Sequence, residues 1–288
     1  MKKTSIALLA TLALVLAACG GGEATDDEAA SETTVAAGGD CAVDSLALFE
    51  GGKLTIATGE PVFPPWMMDD DPTNGQGFES AVAYALAEQM GFAAEDVAWV
   101  RTGFDEAIAP GEKPYDFNMQ QYSITAERDE IVDFSLPYYV GQKSLILLES
   151  SPAIGATSFA DLEGATFGAT IGTTDLDYIE QVLGITDAAV YNTQADVVAA
   201  MLAGQIDATV VSLPTALYLT AVEIEGSTIA GVLPGGESGE GMGLLFTEGS
   251  ELVPCVDEAL QVLTDDGTLE ALAVEWLQGA GEIPTITE

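Results

Sequence analysis

From residue 53 onward, short β-branched runs alternate with stretches of helical period, and no arrangement of elements constrains a fold more tightly. KLTIAT (53–58) reads as a strand. GFESAVAYALAEQMGF follows it, with Phe78, Val82, Leu86 and Met90 on one helical face and Gly91 as a stop. DVAWVR (96–101) is a second strand, and FDEAIAPG a short helix halted by Pro110–Gly111. Further on, TQADVVAAMLAG opens on a capping box of Thr193 and Asp196 and closes on Gly204. IDATVV (206–211) is a strand, LPTALYLTAV a helix, and TLEALAVEWL a final helix with Leu269, Leu272, Ala273 and Trp276 at helical spacing. Such alternation predicts α/β layers with largely parallel sheets. In those sheets ligands bind beyond the C-terminal strand ends, where helix N-termini converge.

The first forty residues belong to another class. MKKTSIALLATLALVLAAC has a basic pair, an apolar stretch of about 13 residues and a small-residue cleavage site, the marks of an export signal. The stretch is shorter than the ~20 residues of a comfortable membrane span. LAAC at Leu16–Cys19 resembles a bacterial lipobox, which would make residues 1–18 a signal peptide and Cys19 a lipidated residue; the alternative is an ordinary signal with a chance cysteine. Two or more acyl chains give stable anchoring where one is marginal. Residues 20–40 are rich in Gly, Ala, Ser and Thr, poor in large apolar side chains, and carry only negative charge. They cannot bury enough surface to order themselves, so residues 19–49 are expected to form an acidic tether.

With residues 1–18 removed, five basic residues remain against 47 acidic ones. This argues against nucleic acid and anionic lipid surfaces as partners. No later segment offers ~18 consecutive apolar residues, so membrane association is expected through the lipid anchor alone. The chain has no histidine and no CxxC, which leaves metal and thiol-redox chemistry with little support and excludes a Ser-His-Asp hydrolase. No cofactor is expected. If Cys19 carries lipid, Cys41 and Cys255 remain as an even pair in a disulfide-permissive compartment, either bonded or as two free thiols.

The most specific stretch is YDFNMQQYSITAERDEIVDFSLPYY. Together with LTIATGEPVFPPW, GFESAVAYALAEQMGF, GATIGTTDLDYI and TDDGTLEALAVEWL, it makes residues 50–280 resemble the extracytoplasmic solute-binding proteins of the polar amino-acid family, family 3, which deliver ligand to ABC importers. The resemblance implies a two-lobed periplasmic-binding-protein-like (type II) fold, two α/β sandwich lobes joined by two hinge strands. Lobe 1 would comprise residues 50–141 and 241–288, and lobe 2 residues 142–240, with crossings near KSLILLE (143–149) and GMGLLFT (241–247). Cys41 and Cys255 then fall on the same lobe, as a disulfide requires.

The same resemblance assigns a site. Arg128 matches the family arginine that grips the ligand's α-carboxylate, for which a planar fork of donors is suited. Ser123 and Thr125, in the same turn, would add a hydroxyl and backbone amides, and Gln121, beside Gln120, would reach a polar side chain of the ligand. Gly172, Thr173 and Thr174 lie at a strand-to-helix turn whose amides suit an anion. Phe63 and Phe104 match positions that sandwich the ligand's side chain, whereas Trp66 and Tyr122 read as core. Glu60 matches an acidic position that contacts basic ligands. Ser212 stands where the family usually has an aspartate for the ligand's α-ammonium. Asp207, five residues earlier, is too distant along a strand rising ~3.3 Å per residue to replace it.

The expectation is a monomeric, lipid-anchored binding protein on the outer face of the cytoplasmic membrane, serving an ABC permease and holding an amino acid or related small polar carboxylate. Two other classes compete: a dehydratase-like enzyme on the same fold, and a ligand-sensing module for a partner receptor.

Overall fold

Leu54–Thr58 forms β1, and all five of its residues are buried, as befits a strand covered on both faces. In this computed structural model residues 41–237, 241–277 and 283–288 are described; the expected signal peptide, the expected lipidation site Cys19 and the expected tether through residue 40 lie outside them. After β1 come α1 (Phe78–Gln89), β2 (Val97–Arg101), α2 (Phe104–Ile108), β3 (Phe117–Asn118) and β4 (Val132–Phe134). The next segment holds β5 (Gln142–Leu148), β6 (Gly168–Thr170), α3 (Thr174–Asp177), β7 (Ala189–Tyr191) and α4 (Gln194–Leu202). It continues through β8 (Ala208–Ser212), α5 (Leu213–Tyr218) and β9 (Ser227–Glu237), and is followed by β10 (Leu245–Thr247), α6 (Val253–Asp265) and α7 (Thr268–Leu277).

The first lobe is built on a five-stranded sheet ordered β2-β1-β3-β10-β4. β1 runs parallel to β2 and β3, and β10 antiparallel to β3 and β4. The predicted face of α1 is buried, with Phe78, Val82 and Leu86 at 0% exposure. It packs in one cluster with Val256, Leu260 and Leu263 of α6. Each such side chain contributes about 1.5–3 kcal/mol on burial.

The second lobe departs from the parallel expectation. Its three-stranded sheet is ordered β8-β5-β9, with β5 antiparallel to both neighbours, while β6 and β7 pair in parallel and a parallel bridge joins Phe167, before β6, to Ala208 of β8. β8 and β9, joined through α5, still run the same way, and β5 lies between them. In both lobes the reversed strand is the first after a crossing, β5 on entering lobe 2 and β10 on returning. The crossings lie side by side: Met242 bridges Tyr139, and its N–H donates to the Tyr139 carbonyl at 2.7 Å.

Two of the expected boundaries shift. Residues 41–49 are not tether: Cys41 is disulfide-bonded to Cys255 in α6, and Val43, Leu46 and Leu48 pack against the lobe 1 cluster. The Phe49 N–H donates to Asp116 Oδ1 at 2.7 Å. At the other end, residues 283–288 leave lobe 1. Ile286 is buried in a lobe 2 cluster, its N–H donating to the Val232 carbonyl at 2.9 Å, and Thr287 bridges Ser158. An apolar isoleucine among polar neighbours marks this docking. No helix among the described residues is long and apolar enough to cross a membrane.

Candidate functional site

Between the lobes lies a cavity of about 200 Å³. Nine of the eleven predicted ligand contacts line it: Glu60, Phe63, Phe104, Gln121, Ser123 and Arg128 from lobe 1, and Thr173, Thr174 and Ser212 from lobe 2. Thr125 and Gly172 do not. They act one step back, on the arginine itself.

Arg128 opens a short 3-10 turn, with its N–H donating to Thr125 Oγ1 at 3.2 Å. Its side chain is buried, at 7% exposure. Nη1 donates to the Ser123 carbonyl and Nη2 to the Gly172 carbonyl, both at 2.7 Å, so one guanidinium touches both lobes. Gly172 has φ of 70°, a conformation glycine adopts freely. A Cβ there would stand 2.1 Å from Asp105 Oδ1 of the opposite lobe, so any larger residue would have to displace that carboxylate as well as adopt a left-handed backbone. The guanidinium carbon also lies 5.6 Å from the centre of the Phe104 ring, and that ring stacks on buried Tyr122 with centroids 4.5 Å apart. Burial pulls the Arg128 pKa down; Tyr122, Asp177 and Asp175 oppose it. An arginine stays cationic under such shifts.

Gln121 is a correction in its chemistry. It lines the cavity, but its N–H donates to Glu79 Oε1 at 2.8 Å and its Nε2 to Glu79 Oε2. The amide nitrogen is thereby anchored to Glu79. Glu79 is fully buried, also accepts from the Tyr138 hydroxyl, and is pushed up to about 7 by burial.

The lobes are latched by hydroxyl contacts. Ser123 Oγ lies 3.1 Å from Thr174 Oγ1. Trp66, buried as predicted, also lines the cavity, and its Nε1 donates to Thr215 Oγ1 of lobe 2 at 2.8 Å. Thr173 is the N-cap of α3, its Oγ1 accepting from the Leu176 N–H at 3.2 Å. Ser212 Oγ lies 2.9 Å from Thr215 Oγ1.

Sequence reasoning missed Lys143. It sits at the start of β5, in register with Ser212 of β8, and lines the cavity at 7% exposure. Its Nζ donates to Thr174 Oγ1 at 2.9 Å and is paired with the Asp175 carboxylate. The available signal was a lysine leading an apolar crossing strand in a chain with few cations. Two further cavity-lining groups also went unremarked: Thr170 Oγ1 and Gln194 Nε2 are shut off from solvent without a hydrogen-bond partner among the described residues. Buried polar atoms without partners are rare in native structures.

Comparison with known proteins agrees with this geometry. Residues 54–279 match the family described as bacterial extracellular solute-binding proteins, family 3. The chain is 29% identical over 230 residues to the L-cystine-binding protein TcyJ of Escherichia coli K12, covering 79% of this chain and 83% of that one. Among solved structures, an ancestral arginine-binding protein bound to arginine superposes with a TM-score of 0.65 at 28% identity, over 79% of this chain and 99% of the other. The ancestral amino acid-binding protein AncCDT-1, a precursor of cyclohexadienyl dehydratase, gives a TM-score of 0.65 at 26% identity, over 79% and 96% of the two chains. The match spans both lobes and the cleft between them, and this chain belongs to the family 3 bacterial extracellular solute-binding proteins.

Proposed function

We propose that this protein captures an amino acid or related small polar carboxylate between its lobes and hands it to an ABC permease, anchored by lipid at Cys19 on the outer face of the cytoplasmic membrane. The observation that carries the reading is the buried Arg128 guanidinium, which lines the inter-lobe cavity and bonds to both lobes. Two of its donors hold backbone carbonyls, and the rest of the fork is free to grip a carboxylate. Phe63 and Phe104 supply apolar faces, and Ser123, Thr173 and Thr174 supply hydroxyls around the same space. Relatives that bind amino acids, cystine and arginine among them, support the ligand class. Family membership supports delivery to a permease. Contacts from both lobes make closure and ligand capture one equilibrium, since a ligand touching both favours the closed population.

A thermal-shift screen against amino acids and their oxo- and hydroxy-acid analogues tests this. A ligand at 100 times its Kd adds about 2.7 kcal/mol of stability. Arg128→Met is expected to abolish the shift, because a buried charge-assisted pair is lost. A shift of undiminished size in that variant would remove the carboxylate grip from the reading.

A further inference from the structure

Four charged side chains line the cavity: Arg128, Lys143, Glu60 and Asp175. Glu60 is exposed, and Asp175 is already paired with Lys143. The two cations are both buried, one from each lobe, and are linked across the cleft. From Lys143 Nζ the path runs to Thr174 Oγ1 at 2.9 Å, on to Ser123 Oγ at 3.1 Å, and the carbonyl of that same serine accepts from Arg128. A carboxylate seated on Arg128 with its α-substituent along this path would meet the Lys143 ammonium. Opposite Lys143 in the strand register stands the neutral Ser212. What this wall offers is donors: the remaining N–H of Lys143 and the hydroxyl of Ser212, with Thr170 and Gln194 behind them carrying polar atoms that have no partner among the described residues. Among the described residues it has no buried or half-buried carboxylate other than Asp175, which Lys143 holds. A second ammonium placed here would meet Lys143 with only the Asp175 carboxylate, already shared with that lysine, to offset the like charge. A ligand oxygen would find donors instead.

We infer that the site selects a small carboxylate bearing an α-oxygen, a 2-oxo or 2-hydroxy acid, over the corresponding α-amino acid, and that Lys143 is the residue that sets this choice. The inference rests on the carboxylate grip by Arg128 and names the chemistry of the neighbouring position.

The test is calorimetric titration of the mature protein with matched acids that share a side chain and differ only at the α-position: L-glutamate, 2-hydroxyglutarate and 2-oxoglutarate, and the same three forms of L-leucine and L-arginine. In at least one set the oxygen-bearing forms are expected to bind ten times or more tighter than the amino acid. Lys143→Met keeps most of the stem, removes the cation and frees Asp175, and should erase or reverse that preference. Its melting temperature without ligand reports whether it folds; Ser212→Asp provides a second route, adding an acid opposite Lys143, and should move the preference tenfold or more toward the amino acid. Amino acids binding as tightly as their analogues in every set would overturn the inference, and loss of that binding in Arg128→Met would show that the carboxylate grip survives it. A preference unchanged by both variants would overturn the role of Lys143. Absence of binding by every acid, with Arg128→Met indistinguishable from the parent, would remove the underlying reading and the inference together.

Discussion

Lobe 1 gathers most of its buried residues into one cluster beneath α1, α6 and α7, with Cys41–Cys255 fastening its edge, whereas lobe 2 splits its core between the two faces of β5. Leu145 and Leu147 point to one lobe 2 cluster, Ile146 and Leu148 to the other, in the period-2 alternation of a strand. The cavity walls differ as well. Lobe 1 presents aromatic rings and a guanidinium already held by its own Ser123 carbonyl. Lobe 2 presents hydroxyls, Lys143 and the starts of two short helices, α3 and α5, each running on into a π-helical turn at Tyr178–Val182 and Leu219–Glu223. Such turns are common near functional sites. On the proposed function, the contrast makes lobe 1 the pre-organised half, which would receive a carboxylate before closure, and lobe 2 the half that would complete the grip.

The strongest way to break this contrast is to remove the fastening. Replacing Cys41 and Cys255 by Ser opens a loop of 214 residues in sequence, and chain entropy at that length gives a loss of about 5 kcal/mol. The three tryptophans, Trp66, Trp99 and Trp276, all belong to or pack on the lobe 1 cluster. Their fluorescence should therefore register an earlier denaturant midpoint, while hydrogen exchange in β5 and β9 changes less. Equal loss in both lobes would mean they unfold as one unit.

The reverse experiment weakens lobe 2. Ile286→Ala empties a site buried at 1% exposure and should cost about 3 kcal/mol. Exchange should rise in β9, with the tryptophan midpoint little moved.

A third prediction concerns pH and the floor of lobe 1. Burial lifts Glu79 from 4.5 to about 7. Between those values the folded state binds a proton that the unfolded state has released, so stability falls as pH rises through this window and then levels off. The expected loss is about 3 kcal/mol across it. Glu79→Gln should flatten that slope in urea titrations at pH 4.5 to 7.5, and a slope unchanged by the substitution would assign it to other groups.

The smallest effect sharpens the account of closure. Thr215→Val removes the acceptor for Trp66 Nε1 and should weaken ligand binding by about 1 kcal/mol, roughly fivefold. Since the bond crosses between lobes, the change should appear mainly in ligand dissociation rate.

Much of this was legible in the residues, and what was not has physical reasons. The helix face at Phe78, Val82 and Leu86, and the Thr193–Asp196 capping box, whose Asp196 N–H donates to Thr193 Oγ1 at 3.1 Å, follow from spacing alone. The sense of β5 was hidden because pairing direction depends on how a strand enters a sheet, and local pattern carries no record of that. Gln121 was misjudged because its partner Glu79 lies 42 residues earlier, on a helix whose buried acid looks from sequence like a surface one. Lys143 hid at the head of an apolar run, where a lysine ordinarily marks the wet end of a strand.

The docking of Ile286 in lobe 2 has one more consequence. Since α7 packs on lobe 1, the polypeptide traverses the gap three times, an odd number, and residues 41–49 and 283–288 rest on opposite halves. Dyes attached beside Cys41 and near Glu288 would thus read the jaw angle directly.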